Sequence, residues 1–135
     1  MDGKTVKEWA ARFGADLAGI ASVERFDGVA ANADPRSIKP DTRSVVVLGF
    51  PVLRGALRGM ETGTSWASYN AGTSTSYRVD TTYRVCREME RAGWEAAPMF
   101  SHHAELRNQG VRVHPDKPAP DVIENPELAA HLAGL

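Results

Sequence analysis

The chain has one cysteine, Cys86, in 135 residues. A single thiol excludes an internal disulfide, and it excludes a zinc or iron-sulfur site built from several thiolates of this chain. Long apolar runs are missing too. The longest, Val45-Val46-Val47-Leu48-Gly49-Phe50, falls far short of the roughly 20 residues that cross a bilayer. Blocks of like charge are also absent. With 16 Lys and Arg against 17 Asp and Glu, a formal net charge of -1, nothing supplies the basic footprint that nucleic acid or an anionic membrane demands. Met1-Asp2-Gly3-Lys4 leads straight into an amphipathic pattern, so no secretory signal is read and a cytoplasmic location is expected. A composition of 42% hydrophobic and 24% charged residues suits one ordinary globular domain over 1–135.

Thr5-Val6-Lys7-Glu8 has capping-box spacing. Val6, Trp9, Ala10 and Phe13 recur with a helical period and Gly14 stands where a left-handed cap belongs, which predicts a helix over 6–13. Ala15 to Ala21 reads as a short strand, in which Gly19 allows close backbone approach. Residues 22–44, broken by Asp34-Pro35 and Lys39-Pro40, read as an irregular connection. Val45 to Phe50 is the clearest strand: β-branched, continuous, stopped by Pro51, and patterned for burial on both faces. Thr62 to Ser76 is rich in Gly, Ser, Thr and Asn and reads as a loop carrying Trp66 and Tyr69. Helical spacing returns through Val79, Tyr83, Cys86 and Met89 and closes at Gly93, with Cys86 as a small buried hydrophobe. Trp94 to Phe100 reads as a further strand, so that strand, helix and strand would form a right-handed parallel crossover. Prolines break 101–120 into a long loop. Asn125-Pro126 then starts a helix over 127–133. The fold class expected is α/β, with α+β left open: a central mixed sheet flanked by helices.

His102, His103 and His114 raise the question of a metal. Adjacent histidines in an extended segment face opposite ways, and no cysteine or carboxylate pair completes a shell, so no protein metal site is expected. The loop around Trp66 lacks G-x-G-x-x-G and Walker spacing, which leaves a nucleotide phosphate cradle unsupported.

Phe13-Gly14-Ala15-Asp16-Leu17-Ala18-Gly19-Ile20-Ala21, Arg43-Ser44-Val45-Val46-Val47-Leu48-Gly49-Phe50 and Ala133-Gly134-Leu135 together resemble the epoxyqueuosine reductase family. That family is similar to the corrinoid-dependent reductive dehalogenases. The resemblance spans residues 5 to 135 and implies an α/β N-terminal region that holds cobalamin, followed in the family by a part carrying two [4Fe-4S] clusters. This chain ligates neither cluster. It reads either as an incomplete N-terminal portion of a longer iron-sulfur reductase or as a free-standing relative. By the resemblance, Asp121 is the proton donor beside the corrinoid, which would need a carboxyl pKa raised by partial burial. Trp66, Ser68 and Tyr69 would contact the macrocycle, offering flat apolar faces and hydroxyls. His102 or His103 would approach cobalt or a cofactor amide. The implied partners are a corrinoid and a small-molecule substrate, with an iron-sulfur protein or a second copy of the chain beside them. Two alternatives stay open: a non-catalytic assembly subunit pairing with a separate iron-sulfur protein, and a flavin (FMN) protein of nitroreductase type.

Overall fold

The structure, a computed structural model, describes residues 2–31, 33–64, 66–99, 116 and 125–135, and of residues 66–75 the backbone only. The chain is mixed α/β. In order come α1 (Gly3–Arg12), β1 (Leu17–Ser22), 3-10 turns at Val23–Phe26 and Pro35–Ser37, β2 (Ser44–Gly49), α2 (Arg54–Thr62), α3 (Trp66–Arg91) and α4 (Pro126–Leu132). It divides into two compact units, one of residues 1–18 with 48–98 and the other of 19–47 with 99–135.

Helix α1 starts earlier than the Thr5 capping box predicts. Asp2 is the N-cap, and its carboxylate accepts from the Thr5 backbone N–H at 2.8 Å. An aspartate is at least as good a cap as threonine, and its charge faces the positive end of the helix. The helix ends as expected at Gly14, φ 102°. Gly14 N–H donates to Ala11 O and Ala15 N–H to Ala10 O, the double bond of a Schellman cap. The same pair of bonds closes α2 at Gly63, α3 at Gly93 and α4 at Gly134, so one device ends every helix among the described residues.

Among the described residues β1 and β2 form a two-stranded sheet and run antiparallel. Asp16 N–H donates to Gly49 O at one end and Val23 N–H to Arg43 O at the other. The expected parallel crossover is not made among the described residues, because 94–99 carries no regular structure. Nor is β2 buried on both faces: Val45 to Gly49 are half-buried.

Helix α3 corrects the loop expected over 62–76: it runs unbroken from Trp66. Ser and Thr are only mildly poor helix formers, at a cost below about 0.7 kcal/mol each relative to Ala. No proline occurs from 52 to 97 to forbid the helix. The face it buries also differs from the Val79-Tyr83 stripe. Thr81 and Val85 are buried, whereas Val79 and Tyr83 are exposed. Thr81 decides this, because its hydroxyl donates to the Phe13 carbonyl at 2.8 Å, satisfying an acceptor left open at the end of α1. With α3 packed on α1 and α2, the first unit buries Val6, Ala10, Ala15, Ala56, Thr81 and Val85. The second unit buries Ala21, Val23 and Phe26.

Candidate functional site

Gly19 is where two segments far apart in the chain, β1 and residues 133–135, meet. A Cβ built on it would lie 2.8 Å from Ala133 Cβ and 2.8 Å from Leu135 Cγ, so only a glycine lets the end of the chain lie against β1 this closely. Helix α4 delivers that end. Asn125 caps it, accepting from Leu128 N–H at 2.9 Å, and Pro126 opens it, as the sequence predicts. Arg25 then closes the arrangement by donating from Nη1 to Leu132 O at 2.5 Å, a cation at the negative end of a helix.

The same unit holds a second fixed cluster. Arg36 donates from Nη1 to Asp27 at 2.8 Å and from Nε and Nη2 to Asp34 at 3.0 and 2.8 Å. Hydrogen bonds donated to Asp34 first and to Asp27 second raise the guanidinium pKa further. A planar fork is suited to a two-point grip on carboxylate. The stretch expected to be irregular is therefore pinned into 3-10 turns around Arg36.

In the other unit, Phe13, Asp80, Tyr83, Arg84, Arg87 and Glu88 line an open groove of about 220 Å³. Its charges are largely internally matched: Arg84 pairs with Asp80 at 2.8 Å and Glu88 with Arg91 at 2.6 Å. That volume lies below the roughly 300–1,000 Å³ of ordinary ligand pockets. Cys86 is half-buried, and burial first, then the Glu90 carboxylate, pushes its thiol pKa up. Such a thiol is a poor nucleophile, in keeping with a packing role.

Trp66, Ser68 and Tyr69 fall in the first turns of α3 rather than in a loop; their side chains lie outside the described set, as do His102, His103, His114 and Asp121. Among the described residues no three His, Cys, Asp or Glu side chains gather to hold a metal ion. No helix among them is long and apolar enough to cross a membrane. Sequence reasoning found Gly19 but missed its partners, along with the Arg25, Arg36 and Thr81 bonds. Asp34-Pro35-Arg36, with an acid two residues before a base, was the one local signal available. The chain matches no protein-family model, no curated protein and no solved structure.

Proposed function

We propose that this chain is the cofactor-facing portion of an epoxyqueuosine-reductase-like or reductive-dehalogenase-like oxidoreductase, acting in the cytoplasm with an iron-sulfur partner. The observation that supports it is the contact at Gly19. Phe13–Ala21 and Ala133–Leu135 are far apart in the chain, and Gly19 leaves the room in which Ala133 and Leu135 lie against β1. Arg43–Phe50, the third segment of the resemblance, contains β2, the strand paired with β1. The chain's own part is to hold a corrinoid and a small organic substrate through Trp66, Ser68, Tyr69 and a histidine of the His102-His103 pair, with Asp121 as the acid. Redox chemistry would belong to the cofactor.

Titration with cob(II)alamin tests the reading. A changed visible spectrum and cofactor retained through gel filtration are expected; no binding by about 500 µM, an affinity too weak for a resident cofactor, would overturn it. Asp121→Asn should bind cobalamin as wild type does while turnover with a chemical reductant falls. A second reading, an assembly module for a separate iron-sulfur protein, is favoured by the exposed Val79, Tyr83 and Trp94. A colourless, non-binding chain would select it.

A further inference from the structure

Helix α2 is packed the wrong way round for an ordinary amphipathic helix. Its small residues Ala56 and Gly59 are buried, while Leu53, Leu57 and Met60 are 61%, 47% and 49% exposed. Leu57 and Met60 stand i and i+3 within the helix, the a, d spacing of a coiled-coil seam, and Leu53, the N-cap residue, stands at the preceding d position just outside the helix. Arg54 and Glu61 each follow a d position, and both are exposed. Neither has an ion-pair partner among the described residues. They are seven apart, about 10 Å along the helix axis, so they cannot pair with each other within one helix.

From this charge pattern we propose that α2 is a self-association surface, pairing antiparallel with α2 of a second copy across a two-fold axis. In that register Leu57 meets Met60 of the second copy and Met60 meets its Leu57. Arg54 then stands beside Glu61 of the second copy, and the two-fold repeats the pair. An isologous contact needs such self-complementarity, with each sign matched by the other end of the same stripe. The stripe is short, so the dimer is a weak one, below the area of standard stable interfaces. It requires no cofactor and stands apart from the corrinoid reading.

Sedimentation equilibrium of the full chain over a concentration series tests it, with circular dichroism to show that each variant is folded. Arg54→Glu and Glu61→Arg each place two like charges across the two-fold, and each should weaken the dimer about tenfold. The double swap Arg54→Glu with Glu61→Arg restores both pairs and should return the wild-type constant. Arg58→Glu, outside the seam, should change it little. A wild-type chain that stays monomeric to about 1 mM, or a double swap no better than the single variants, would overturn the proposal. The first result would leave the apolar stripe to a different partner.

Discussion

Gly19→Ala sets two effects of opposite sign against each other. Replacing glycine by alanine in a strand removes freedom from the unfolded chain and, where the backbone permits, stabilises by about 0.4–1 kcal/mol. Gly19 is not among the glycines with positive φ, so the backbone permits it. Against that, the new methyl would sit 2.8 Å from Ala133 Cβ, 2.8 Å from Leu135 Cγ and 3.0 Å from Leu135 Cδ1. Forcing a methyl into a filled contact costs about 1–3 kcal/mol. The clash wins, with a net loss of about 1–2 kcal/mol. For a chain of this size each kcal/mol is roughly 3–5 °C in Tm, so the melting temperature followed by circular dichroism should fall by roughly 3–10 °C. Leu135→Ala removes two of the three close atoms, and in the double variant the loss should be smaller than the sum of the single losses. A Gly19→Ala protein melting at or above the wild-type temperature would show that the chain end does not rest on β1.

Thr81→Val leaves the Phe13 carbonyl without its side-chain donor and should lower stability by about 1–2 kcal/mol in urea unfolding; Thr81→Ser, which keeps the hydroxyl, should lose less, and equal losses would sink the bond's importance. The Thr5 N–H, foremost among several hydrogen bonds, holds the Asp2 carboxyl below its usual 3.8. A depressed folded pKa contributes stability that is present above the unfolded value and lost as pH falls through the folded one. Acid unfolding should therefore draw on this cap only below about pH 3.8, and Asp2→Asn, which caps without titrating, should flatten that part of the curve. An unchanged acid limb would show that Asp2 does not contribute. Cys86, with its raised pKa, should react slowly with a disulfide reagent at neutral pH and speed up on unfolding. Equally fast reaction of the native protein would place the thiol in solvent.

Local rules made much of this molecule legible in advance. Asn125-Pro126, Gly14 and Gly93 announce helix ends because capping involves only a few neighbouring residues. Val45 to Val47 announces a strand for a similar reason: β-branching restricts each residue independently. The failures lie where a local preference is weak and a distant group decides. Residues 66–76 have loop-like composition, yet no proline stops α3 from running through them. Val79 and Tyr83 make the better apolar stripe on paper, but a hydroxyl at Thr81 reaching the Phe13 carbonyl turns the helix.

By itself the sequence determined the helix ends at Gly14 and Gly93, the Asn125-Pro126 helix start, the apolar strands β1 and β2, and the exclusion of an internal disulfide by a single cysteine. Those depend on bonded neighbours and on composition, which are fully present in the chain as written. Tertiary structure alone decided that β1 and β2 run antiparallel, that Gly19 receives Ala133 and Leu135, and that α2 buries Ala56 and Gly59 while leaving Leu57 and Met60 outside. Each of these is a choice of partner across many residues. It is settled by which pairing satisfies carbonyls and closes gaps, and no local propensity encodes that.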